Sequence, residues 1–168
     1  MNIIIQSSIY TLNKSKMLLK SISNDYLSDH TVPPYYSCIG SHIRHILDFY
    51  DCIFDGIASE KVNLINRNRD ERIHSDCDYA LVNVNRIIRK LENIEGLSLD
   101  KIYFVSDNLG MGEVKVKHTL GSILAQANSH AIHHYAIINY ILDRLGITVE
   151  DETFGFNPTT PKPETNLS

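Results

Sequence analysis

The chain has 168 residues, 43% of them hydrophobic and 21% charged, and a formal net charge of −4, a balance that suits one globular domain with a full core. Without a basic stripe it has no electrostatic footprint for nucleic acid, and no run approaches the ~20 apolar residues that a bilayer span needs. Three cysteines, Cys38, Cys52 and Cys77, form no C-x-x-C pair and leave an odd count, which argues against a disulfide scaffold and suits a reducing compartment. The first eight residues have no positive n-region, so no signal peptide is expected and the protein is read as cytoplasmic.

Four helices are predicted in chain order. The first covers residues 5–27, with Ile5, Ile9, Leu12 and Leu19 on one face. Pro33-Pro34 breaks the chain. The second covers residues 37–57, where Ile39, Ile43, Ile46, Tyr50, Ile53 and Ile57 recur at alternating steps of four and three, the signature of a buried helical stripe. Residues 60–74 carry Arg67, Arg69, Asp70, Glu71 and Arg72 and read as a solvated connection. The third helix covers residues 75–93, capped by Ser75 or Asp76, with Ala80, Leu81, Val84, Ile87, Ile88 and Leu91 on the buried side.

The period then changes. Residues 101–105 and 113–117 read as short strands, the second strictly alternating, with turn residues between them. They predict a β-hairpin inserted before a last helix over residues 119–145, which Gly146 stops. The economical fold is mainly α: a four-helix bundle with that small hairpin. A single domain is expected over residues 1–157, followed by a polar, Pro/Thr-rich tail over 158–168.

The chemistry concentrates in the last helix, at Ser129-His130-Ala131-Ile132-His133-His134. His130 and His134 are four residues apart, so both rings leave one face a turn apart. They fall on the apolar side, with Ile123, Ala127, Ile137, Ile138 and Ile141, and His133 points away. Two imidazoles turned toward a core need a partner. A second pair, His42 and His45, lies on the second helix. Two helices can thus supply three imidazoles to one divalent ion and leave a position open, as catalytic metal sites do. The plainer reading is a set of histidines hydrogen-bonded to one another around water. Taking ~100° per residue, His42 lies roughly 70° from the centre of the second helix's stripe and His45 roughly 130° from it, so periodicity favours His42 as the third ligand.

The segments Ile39-Gly40-Ser41-His42-Ile43-Arg44-His45-Ile46-Leu47-Asp48 and Ser129-His130-Ala131-Ile132-His133-His134-Tyr135-Ala136 resemble the DinB/YfiT-like superfamily of metal-dependent enzymes. Arg67 and Arg69 with Asp70, and the ending Phe154-Gly155-Phe156-Asn157-Pro158, look like one bacterial branch of it. The resemblance implies a four-helix bundle holding a zinc- or nickel-type divalent ion. Its ligand triad would be His45, which precedes the matching Ile46-Leu47-Asp48, together with His130 and His134. We take His45 as the ligand and His42 as a pocket residue beside it, against the periodicity.

The resemblance further implies a metal-dependent enzyme acting on a small molecule, either a transferase that uses a low-molecular-weight thiol or a hydrolase. No general base stands out, so catalytic residues beyond the metal ligands are unknown. Ala131 replaces the glutamate of H-E-x-x-H, which excludes the zinc-protease arrangement. A non-enzymatic metal- or ligand-binding bundle is the alternative. An exposed helix face leaves room for a homodimer.

Overall fold

The computed structural model describes residues 2–94 and 96–161. These described residues are mainly helical, with five α-helices and a small three-stranded sheet. Four helices are long. α1 (Ile3–Ser21) starts at Asn2, whose side chain accepts the Ile4 amide. The expected single helix over 5–27 is broken, because Ile22 is extended and Ser23 caps a separate short helix, α2 (Asn24–Leu27). α3 (Ile39–Gly56) is capped by Cys38, whose sulfur accepts the Ser41 amide at 3.3 Å. α4 (Cys77–Asn93) is capped by Asp76, and α5 (Leu120–Arg144) by Thr119. Side-chain acceptors at these caps satisfy amides that the first helical turn leaves unpaired.

The region expected to be only a solvated connection holds structure. Strand β1 (Lys61–Asn63) pairs in parallel with β2 (Ile102–Asn108), and a 3-10 turn spans Glu71–His74. β2 runs antiparallel to β3 (Glu113–Thr119), which is the expected hairpin, so the sheet order is β1-β2-β3. Burial alternates along β2. Tyr103 and Val105 face inward at 1% and 2% exposure, while Ile102 and Phe104 face out, the period-2 pattern of a sheet with one covered face.

α1 packs on α4 and α5, and α3 packs on the same two helices. The shared core includes Leu12, Ile43, Tyr50, Val84, Leu91, Leu124 and Ile138, all fully buried. At this density, truncating one such leucine to alanine costs about 2–5 kcal/mol. Gly40 meets the 3-10 turn so closely that a Cβ there would collide with the His74 backbone, which seats the start of α3 against that turn.

The sequence alone does not say where the ending segment packs. In the structure Phe154 is 2% exposed and stacks on Tyr135 of α5, with ring centroids 5.0 Å apart. Gly155 follows at φ +80°, and a Cβ there would lie 2.9 Å from the Tyr135 carbonyl. Lys14 of α1 holds the same segment through Asp151 at 2.7 Å. The tail expected over 158–168 is described to residue 161, and residues 162–168 lie outside the described residues. All three cysteines are free and buried. No described helix is long and apolar enough to cross a membrane.

Candidate metal centre

The packing of α3 on α5 sets the histidines against one another. His45 of α3 and His130 and His134 of α5 each present a ring nitrogen, and these three atoms all lie within 4.8 Å of one another. The His130 and His134 Nε2 atoms are 3.2 Å apart. Ring centroids are 4.8 Å apart for His45 and His130, and 4.7 Å for His45 and His134. All three rings are half-buried at the seam between the helices.

His42, one turn earlier on α3, stands outside this triad but touches it. Its Nδ1 lies 2.8 Å from His134 Nδ1, and its Nε2 lies 2.8 Å from the Ser37 hydroxyl. His133 is exposed, its ring against that of His134 at 5.4 Å. The choice between His42 and His45 has a geometric form here. His45 shares the triad, and His42 backs one of its members.

Electrostatics keeps these rings neutral. Burial, reinforced by the Arg67 charge, pushes the His45 and His130 imidazoles down to about 4. Burial and the crowding of His130, His45 and His42 push His134 further, to about 2. Burial also lowers His42. A neutral imidazole offers one lone pair, which is what a metal ligand requires. In the tautomer whose Nδ1 proton goes to His42, His134 turns a free Nε2 lone pair toward His130. This is the arrangement by which a histidine's second nitrogen fixes its ring and tautomer.

Two further residues border the cluster. Phe49, four residues after His45 on the same helix face, lies beside His130 with centroids 5.2 Å apart. Arg67, in the loop after β1, places Nη1 2.8 Å from His45 Nδ1 and 3.3 Å from His45 Nε2. Sequence reading missed Phe49, although the i,i+4 step from His45 would have pointed to it. Arg67 carried no such signal, because its position depends on β1 pairing with a strand some forty residues away. Arg69 is exposed, and Asp70 caps the 3-10 turn and accepts the Tyr79 hydroxyl at 2.7 Å. Asp48, one turn beyond His45, is buried against Arg44 at 3.7 Å.

The donor set suits a divalent ion. Two nitrogens bound to one tetrahedral zinc at 2.0–2.1 Å stand about 3.3 Å apart, close to the 3.2 Å separation of the His130 and His134 Nε2 atoms. Three imidazoles complete neither a tetrahedral nor an octahedral shell, so a ligand position stays open. A cavity of about 520 Å³ lies on another side of α5, lined by Tyr10, Asn128, Ile132, Tyr135 and Phe156 among others. None of its lining residues belongs to the histidine cluster. Comparison with protein-family models, with curated proteins and with solved structures gives no match.

Proposed function

We propose that this chain is a divalent-metal-dependent enzyme on a four-helix bundle of the DinB-like kind, with zinc or nickel held by His45, His130 and His134. The observation that carries this reading is the 3.2 Å approach of two neutral imidazole nitrogens beside a third imidazole from the facing helix. The bundle itself is supported by the way each long helix packs on two others.

A divalent ion at this site would supply Lewis-acid chemistry and hold a bound thiol or water in its deprotonated form. The chain's own residues do the rest. His42 donates no charge but fixes the ring of His134 and is itself fixed by Ser37. Phe49, 4% exposed, walls the site with an apolar face and limits water beside His130.

Between the two reaction classes, the surroundings favour transfer to or from a small thiol. Hydrolysis needs a general base to steer water. Among the described residues, the hydrogen-bond partners of the triad outside itself are His42 and Arg67, with no carboxylate among them. A thiol already held as thiolate needs no such base.

The test is metal content and activity on the same sample. Natively purified protein, never exposed to chelator, should carry about one zinc or nickel per chain. The loaded protein should consume an electrophile only in the presence of a cellular thiol. A protein that neither carries metal nor gains any from added zinc sinks the reading. A loaded protein inert across thiol-transfer and hydrolysis panels favours a non-enzymatic metal-binding bundle instead.

A further inference from the structure

Three arginines are half-buried, and they are partnered in two different ways. Arg86 grips Asp51 through two bonds of 2.6 and 2.7 Å. Arg44 faces Asp48 at 3.7 Å. Arg67 ion-pairs with no carboxylate among the described residues and donates only to neutral acceptors, the Leu64 carbonyl at 2.8 Å and the His45 ring. Asp48 feels its charge but is the partner of Arg44. A half-buried guanidinium without a counter-anion is a costly arrangement to leave unanswered.

Its position explains what would answer it. Nη1 lies 2.8 Å from Nδ1 and 3.3 Å from Nε2 of His45, so the guanidinium stands over the face of the ring and leaves the in-plane lone pair free for a metal. A metal ion at His45 needs a lone pair of the same ring. An ion bound there places a second positive charge beside the guanidinium. The backbone contact from Nε to Leu64 keeps it there. Two cations held together require an anion between them.

Resting on the metal reading above, we propose that Arg67 is the recognition residue for an anionic ligand of this centre, a small carboxylate, and that metal and carboxylate bind cooperatively. The planar fork of arginine matches the two oxygens of a carboxylate and distinguishes it from a single-atom anion such as chloride. Phe49, 6.0 Å from the Arg67 carbon, offers an apolar surface for the carbon part of such a ligand.

The experiment measures zinc affinity of the full chain by chelator competition, in sodium acetate and in sodium chloride at equal pH and ionic strength. In the wild type, acetate should tighten zinc binding by about tenfold, the scale of one charge-assisted hydrogen bond. Arg67→Met should bind zinc at least as tightly as the wild type in chloride, since a positive charge beside the site is gone, and should show no acetate gain. Zinc complexed by free acetate is common to both proteins and cancels in the comparison. Equal wild-type affinity in the two salts overturns the proposal, as does an acetate gain of the same size in Arg67→Met. A gain with 2-mercaptoethanol that needs Arg67, with none from acetate, overturns the carboxylate assignment. If Arg67→Met does not fold, the two-salt comparison on the wild type and on Arg67→Lys, which keeps the charge without the fork, decides the matter. Failure of the metal reading looks different: no zinc binds in either salt.

Discussion

On one face of α5, the hydroxyl of the fully buried Tyr135 is held by the Thr11 carbonyl at 2.9 Å and the Ser15 hydroxyl at 2.6 Å, with Phe154 stacked on the ring. On another, His130 and His134 are half-buried and meet mainly each other, His42 and His45. Both faces place polar atoms in a helix seam. The first closes its hydrogen bonds with atoms that keep their charge state and belong to the fold. The second answers titratable nitrogens with other titratable nitrogens, so the tautomers and not the fold decide which of them donates. A network with fixed donors specifies packing, and one whose protons can be redistributed leaves lone pairs available for chemistry.

The comparison breaks most sharply at the triad. His45→Ala, His130→Ala and His134→Ala should each weaken zinc binding by more than about a hundredfold, because two imidazoles remain where three were held. Isothermal titration of each variant measures this. Retention of wild-type affinity in His45→Ala, with loss in His42→Ala, would move the third ligand one turn along α3.

On the Tyr135 face the expected loss is in stability and not in metal. Phe154→Ala removes a buried ring and should cost about 3 kcal/mol in urea unfolding, with zinc affinity unchanged. A change in affinity would mean that the two faces are coupled through α5.

His42→Ala should keep the metal but weaken it by about tenfold to a hundredfold, the usual consequence of removing the group that orients a ligand. The drop should recur in Ser37→Ala to a smaller degree, since Ser37 holds His42 from behind.

Without metal, the histidine face should make the protein acid-sensitive. The ordinary imidazole value is 6.5, and the folded values of His45 and His130 are about 4. Between these limits the unfolded chain is protonated where the folded one is not, so unfolding takes up protons and stability falls as pH falls. The contribution is fully present above pH 6.5 and is lost on the way down to about 4. Urea midpoints in chelator across this range should show it, and a His45→Phe/His130→Phe double variant should flatten the slope. The smallest effect is expected at exposed His133, where alanine should change stability by no more than about 0.5 kcal/mol and leave zinc affinity unaltered.

Local signals explain what was legible in the chain. The α3 stripe from Ile39 to Ile53 is buried throughout, because a 3.6-residue period is a property of one segment. Asp76 and Thr119 cap the helices they precede, and the alternation around Val114 and Val116 marks β3. What was not legible depends on partners far along the chain. Lys61-Val62-Asn63 has no strand pattern of its own and becomes a strand only against Phe104, Val105 and Ser106. The break at Ile22 rests on Ser23 competing as a cap inside a segment that otherwise reads as helix. His45 sits away from the apolar stripe because the stripe faces the shared core, while the triad lies at the seam with α5. Periodicity locates the core; it does not locate a cleft beside it.

The strand that delivers Arg67 is three residues long and lies at the edge of the sheet. Two backbone bonds of 2.9 Å bracket it, from the Phe104 amide to the Glu60 carbonyl and from the Leu64 amide to the Ser106 carbonyl. Val62 and Leu64 anchor it in the core at 1% and 3% exposure, yet so short an edge ladder is expected to open before the helices unfold. Amide exchange at Leu64 that outpaces exchange in α3 and α5 would show the arginine moving separately from the histidines it touches.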